Sequence, residues 1–201
     1  PELAKVVGEL FVFQRTPSSV DVRNNAPTDP EWVKSLKPGW QQERMENFNV
    51  VVSGGDVEED LVKDGWTDIF RNLTGVVAKQ AARKLGRRLS PQERGELMEL
   101  ADYMKMNQVR ARVDEIVTDP ATAEKLKPWY RQFCKRPCFH DEYLQTFNRP
   151  NVTLVDTDGL GVQQLTENGV MVDGTEYKVD CLVFATGFEV GTSYTRRAGY
   201  D

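Results

Sequence analysis

Asp180-Cys181-Leu182-Val183-Phe184-Ala185-Thr186-Gly187, near the C-terminal end of the chain, is an apolar run closed by Ala-Thr-Gly. A short stretch of β-branched and aromatic residues that stops at glycine has the pattern of a buried parallel strand. Gly187 is free to take a positive φ and lets a ligand approach the backbone closely. The run therefore predicts a strand that delivers a turn to a nucleotide. An ordinary core strand ending in a glycine turn reads the same way, so two further segments carry the weight.

The first is Leu10-Phe11-Val12-Phe13-Gln14-Arg15-Thr16-Pro17. Before it, Leu3, Val6 and Val7 share one helical face and Gly8 stands where a C-cap would, so the chain is expected to open on the end of a helix. A strand over Leu10–Phe13 then presents Gln14, Arg15 and Thr16 at its carboxyl end. In doubly wound sheets ligands sit outside the carboxyl ends of strands, where an arginine can meet the 2′-phosphate that separates NADP from NAD. An arginine in water at a strand end has the same sequence.

The second is Phe133-Cys134-Lys135-Arg136-Pro137-Cys138-Phe139-His140, followed by Phe147-Asn148-Arg149. Pro137 forbids a continuing ladder and biases Arg136 toward extended backbone, so the two cations lie on a turn. Neighbours in extended backbone point in opposite directions. Lys135 is thus placed to hold a phosphate while Arg136 faces a different ligand, although a surface Lys-Arg pair fits the composition equally well.

In this order and at this separation the three segments resemble the flavin-dependent Baeyer–Villiger monooxygenases, which use FAD and NADPH. The resemblance implies an α/β fold, part of a flavoprotein with two Rossmann-like dinucleotide-binding domains and a mostly α-helical insertion. It assigns residues 1–25 and 134–180 to the NADPH-binding domain, 26–133 to the insertion and 181–201 to the crossing into the FAD-binding domain. It carries Arg15 and Thr16, with Gln14 beside them, to the 2′-phosphate site, Lys135 to the second phosphate-binding lysine and Arg136 to the catalytic arginine. Asp180 with Ala185, Thr186 and Gly187 matches the motif that links the two nucleotide domains. The implied reaction inserts one atom of O2 beside a ketone carbonyl to give an ester or lactone, with Arg136 as the permanent cation that stabilises negative charge. The likeness is weak between Gly39 and Lys127.

No Gly-x-Gly-x-x-Gly is present: Gly159-Leu160-Gly161 is followed by Val-Gln-Gln, and Ser53-Gly54-Gly55 lacks the spacing. The expectation is an internal piece of a protein more than twice as long, inactive by itself. With 39% hydrophobic and 28% charged residues and a mean hydropathy of −0.54, the chain is polar for a self-sufficient α/β enzyme domain. A net charge of −5 argues against a general nucleic-acid binder and for small-molecule partners, a ketone and O2. No apolar stretch reaches membrane-spanning length and no leader is visible, so a cytoplasmic setting is expected.

The middle of the chain reads as helices: Asp29–Leu36, Val57–Val62, Thr67–Leu73, Ser90–Val117 and Asp119–Leu126. Ser90-Pro91-Gln92-Glu93 is a capping box with proline at the first helical position, and Asp119-Pro120 repeats the device. Arg83, Lys84, Arg87 and Arg88 are expected to line one helix face, with the acidic residues around them as intramolecular counterparts. The four tryptophans are expected to anchor the core. After Asn148 the pattern turns to strands, Asn151–Asp156 and then a meander over Gly161–Leu165, Gly169–Val172 and Glu176–Val179. Cys181 is read as a buried small hydrophobe. Cys134 and Cys138 have neither redox nor zinc spacing, and His140 is the one histidine, so no metal site is expected. Another two-nucleotide flavoprotein, such as an N- or S-oxygenating monooxygenase or a disulfide reductase, and a non-catalytic helical interaction module both remain open on sequence.

Overall fold

The computed structural model describes residues 1–55, 57–73 and 76–187. Phe188 to Asp201, part of the expected crossing over 181–201, lie outside the described residues. The chain divides into two compact units, Pro1–Gly159 and Leu160–Asp201.

The first unit is built on a parallel pair. Strand β1 (Leu10–Gln14) lies in register with β4 (Val152–Asp156), Leu10 opposite Val152 and Gln14 opposite Asp156. A parallel pair needs a long crossover, and here the crossover is the helical middle of the chain. A second, two-residue parallel pair joins β2 (Val20–Asp21) to β3 (Cys138–Phe139). Between β2 and β3 run α1 (Pro30–Ser35), α2 (Trp40–Val52), α3 (Gly65–Leu73), α4 (Val76–Leu85), α5 (Pro91–Ile116) and α6 (Pro120–Leu126), and α7 (Tyr143–Thr146) precedes β4. Val113, Val117, Ala123, Leu126, Leu144 and Phe147 form the core, with Val12, Val152 and Leu154 of the parallel pair packed against it.

Helix starts follow their caps. The Asp29 side chain accepts from Glu31 N, the Asp119 side chain from Thr122 N, and Ser90 with Glu93 closes the expected capping box, each with proline in the first turn. Val57–Val62 departs from expectation and forms bends. Asp60 Oδ1 accepts from Val62 N and Lys63 N, and Asn47 holds Leu61 N and Glu59 O, so local side-chain bonds take the backbone groups a helix would use. The opening residues also differ. Leu3–Lys5 is a single 3₁₀ turn with Ala4 buried, while Leu3 and Val6 are exposed, because a segment this short cannot sustain an α-helical ladder. The tryptophans are not core anchors: Trp40 and Trp66 are half-buried, and Trp32 and Trp129 are exposed.

The second unit contains the antiparallel meander β5 (Gln164–Leu165), β6 (Gly169–Val172) and β7 (Thr175–Lys178). Asp173 and Gly174 both take positive φ, 45° and 73°, the primed turn that suits a two-residue hairpin. Val170 and Val172 are its buried residues.

The run Asp180–Gly187 does not form the expected buried strand. Residues 181–187 form no regular secondary structure and pair with no strand among the described residues; Val183 is 67% and Phe184 70% exposed. Cys181 is exposed with them, against expectation. β-composition makes a strand only where neighbouring backbone supplies the ladder. Gly187 nevertheless takes the expected positive φ, 83°. No helix among the described residues is long and apolar enough to cross a membrane.

Candidate functional site

The site begins where β1 ends. Beyond Asp156 the chain turns back on that end: Thr157 N and Thr157 Oγ1 both donate to Gln14 O at 2.9 Å, and Gly159 N donates to Arg15 O at 2.9 Å. These bonds fix the backbone of Gln14 and Arg15 and leave the Arg15 and Thr16 side chains exposed. The Gln14 side chain is engaged otherwise, donating its amide to Lys125 O at 2.7 Å at the end of α6.

Lys135 reaches this segment across more than a hundred residues of sequence. Its Nζ donates to Thr16 O at 3.3 Å and Pro17 O at 3.4 Å and lies 5.3 Å from the centre of the Tyr130 ring. Partial burial, and next the Arg15 guanidinium nearby, hold the Lys135 ammonium below the ordinary lysine range. Among the described residues no carboxylate pairs with Arg15 or Lys135. Two cations brought together without an anion form a place where an anion is welcome, and charge-assisted bonds to a phosphate are the strong kind.

Arg136 meets a different partner from Lys135. Its guanidinium lies 6.0 Å over the Trp66 ring on α3. Trp66 meets Phe139 edge-on at 5.4 Å and stacks with Phe70 at 6.4 Å, and Phe70 meets Phe133 at 5.4 Å. Arg136 is exposed, so its planar donor fork is available beside an aromatic wall. Pro137 does not end the pairing: Cys138 N donates to Ser19 O at 2.9 Å and opens β3 directly after it. That short ladder is what sets Arg136 next to the segment beyond β1.

A framework of fixed charges supports β2 and β3. Arg112 of α5 donates to Val20 O at 3.0 Å and His140 O at 3.1 Å. Lys105 pairs with Asp21 and Asp68, both at 2.7 Å; burial depresses its pKa, but the two carboxylates outweigh it and raise the group above its ordinary range. Asp141 accepts from the backbone of Arg23, Asn24 and Asn25, which keeps its carboxyl below the usual range. His140 Nδ1 accepts from Glu142 N at 3.0 Å. Asn148, from the Phe-Asn-Arg step, clamps the corner between α5 and α6 through Thr118 and Ile116 O.

The structure thus brings Arg15, Thr16, Lys135 and Arg136 into one neighbourhood of the first unit. Ala185, Thr186 and Gly187 belong to the second unit and are exposed. Tyr130, Thr157 and Trp66 escaped the sequence reading as site residues. Only Thr157 had a local signal, the turn residues Asp156-Thr157-Asp158-Gly159 at a strand exit.

No family model matches the chain. It is 58% identical over 197 residues to a Baeyer–Villiger monooxygenase of Stachybotrys chlorohalonatus, covering 98% of this chain and 31% of that protein. It is 55% identical over 203 residues to neopentalenolactone D synthase of Streptomyces avermitilis, covering 100% of this chain and 33% of that protein. Among solved structures, the polycyclic ketone monooxygenase of the thermophilic fungus Thermothelomyces thermophila superposes with a TM-score of 0.76 at 42% identity, over 94% of this chain and 30% of that one. A cyclohexanone monooxygenase bound to ε-caprolactone gives a TM-score of 0.64 at 28% identity, over 93% and 37%. The chain spans about a third of the length of the curated relatives it matches. Its α/β fold is the one found in these two-dinucleotide-domain flavoproteins.

Proposed function

We propose, for a chain similar along its whole length to Baeyer–Villiger monooxygenases, that the protein oxidises ketones to esters or lactones with O2, FAD and NADPH. A neighbour at 25% identity was solved in complex with FAD and NADP. The single observation that supports this most is the junction of Arg15 with Lys135 at the carboxyl end of a parallel strand, with the neighbouring Arg136 beside an aromatic wall.

The residues present fit the coenzyme. Arg15, Thr16 and Lys135 offer two cations and a hydroxyl to the 2′-phosphate of NADPH, on the side of the strand pair where α/β proteins bind nucleotides. Ala185, Thr186 and Gly187, the last at a φ of 83°, offer close backbone approach on the flavin side. When bound, NADPH supplies reducing equivalents and the flavin supplies oxygen activation. Arg136 remains protonated at any working pH, so it can stabilise negative charge at the carbonyl undergoing attack without giving up a proton. Trp66, Phe70 and Phe139 give the ketone an apolar surface beside that cation. In this reading residues 1–25 and 134–180 belong to the NADPH-binding domain, 26–133 to the helical insertion and 181–201 to the crossing.

Substitution of Arg136 tests the reaction class. In Arg136→Ala, ester or lactone formation from cyclic ketones should fall by at least about 10²-fold, while NADPH still bleaches the flavin. Ester formation at the parent rate in Arg136→Ala would remove the arginine from the chemistry. Oxygenation of amines or thioethers with no reaction on ketones would move the protein to another class of flavin monooxygenase.

A further inference from the structure

Tyr130 has no part in the site as sequence drew it, yet three contacts converge on it. Its hydroxyl donates to Pro17 O at 2.9 Å and accepts from Ser19 N at 2.9 Å, closing the turn that follows Arg15 and Thr16. Its ring underlies the Lys135 ammonium at 5.3 Å. Pro17 O receives Lys135 Nζ as well, as does Thr16 O, so two carbonyls and one ring define where the ammonium stands.

Tyr130 is itself fixed from α5. Arg110 donates to Pro128 O at 2.9 Å and covers the Trp129 ring at 4.4 Å, and the buried Asp102 accepts from Gln132 N at 2.9 Å. The segment from Pro128 to Gln132 is therefore pinned to the helix on both sides of the tyrosine. Burial raises the phenol's pKa, so it keeps the proton it donates to Pro17 O.

We propose that Tyr130 is a positioning residue that sets the preference for a 2′-phosphorylated coenzyme, by holding Lys135 over its ring and locking the Pro17–Ser19 turn beside Arg15. The inference rests on the reading of Arg15 and Lys135 as the 2′-phosphate subsite. A carboxylate in the tyrosine's place would pair with the ammonium and consume its charge. The ring and the two carbonyls orient the ammonium yet leave its charge for an incoming anion.

The test is calorimetric titration of the protein with adenosine 2′,5′-bisphosphate and, separately, with 5′-AMP. Tyr130→Phe keeps the ring and loses both hydroxyl bonds; Tyr130→Leu loses the ring too; Lys135→Met marks the floor. The ratio of the two affinities should fall about 3- to 10-fold in Tyr130→Phe and roughly 10- to 50-fold in Tyr130→Leu. An unchanged ratio in Tyr130→Phe, with native circular dichroism, overturns the proposal, and this variant decides the matter if Tyr130→Leu does not fold. Equal loss of both affinities overturns it too, since that would make Tyr130 a general support of the nucleotide site. If the parent protein and Lys135→Met both bind the two probes alike, the fault lies in the subsite reading and the proposal falls with it.

Discussion

Two groups of cations in this chain, one a sequence cluster and one assembled by the fold, end in opposite states. Arg83, Lys84, Arg87 and Arg88 read as one helical stripe, but α4 stops at Leu85 and Gly86 takes a positive φ of 63°, so the last two arginines leave the helix. Arg87 then grips Glu93 with two bonds, at 2.6 and 3.0 Å, and Glu93 in turn caps α5 through Ser90 N. Arg15 and Lys135, by contrast, stand together with no carboxylate among the described residues to pair them. In the first cluster Arg87 uses its charge in folding; in the proposed reading the second keeps its charge for a ligand. Density of basic residues does not distinguish the two, whereas the supply of counter-ions does.

Substitutions in the two clusters should therefore change different observables. The largest effect is expected for Arg15→Ala and Lys135→Ala. Each should lower the NADPH-to-NADH preference in kcat/KM by about 1.5–3 kcal/mol, roughly 10- to 150-fold, with little change in melting temperature. The Lys135 contribution should fade as pH rises through the lysine's lowered pKa, because only the ammonium attracts the phosphate. A preference that survives both substitutions would dissolve the contrast between the clusters.

Ser90→Ala should act in the opposite sense. Losing the cap of α5 should cost about 1 kcal/mol of unfolding free energy, read by chemical denaturation, and leave coenzyme preference where it was. The smallest effect belongs to Glu93→Gln, since the Arg87–Glu93 pair is open to solvent. The Arg87 guanidinium, and then Ser90 N, hold the Glu93 carboxyl down to about 2. A carboxylate with a lowered folded-state pKa stabilises fully above its ordinary value of 4.5 and loses that contribution as pH falls toward 2. The melting-temperature difference between parent and Glu93→Gln should thus be flat from pH 7 to pH 5 and close at lower pH. A difference that persists unchanged near pH 2 would place the effect elsewhere.

Much of the frame was legible because it rests on local chemistry. Ser90-Pro91-Gln92-Glu93 and Asp119-Pro120 announce their helices, and Asp173-Gly174 announces its hairpin, since each needs only residues within one turn. The bend at Lys135, before Arg136, was legible from Pro137. What stayed hidden depends on partners distant in sequence. Cys138–Phe139 is a strand only because Val20–Asp21 lies beside it, and Pro137 gave the contrary signal. Tyr130 has nothing in its neighbours to show that its hydroxyl will meet Pro17 and Ser19. Val57–Val62 has helical spacing, yet Asp60 and Asn47 capture its backbone first. Cys181–Phe184 erred in the other direction, as strand composition without a pairing strand.

The central claim is that Arg15 and Lys135 together receive the phosphate that marks NADPH. A crystal structure of the protein with NADP+ tests it most directly. The 2′-phosphate should lie within hydrogen-bonding distance of both the Arg15 guanidinium and Lys135 Nζ, with Lys135 still over the Tyr130 ring. A 2′-phosphate bound away from both side chains, with Lys135 left on its two carbonyls, would contradict the account.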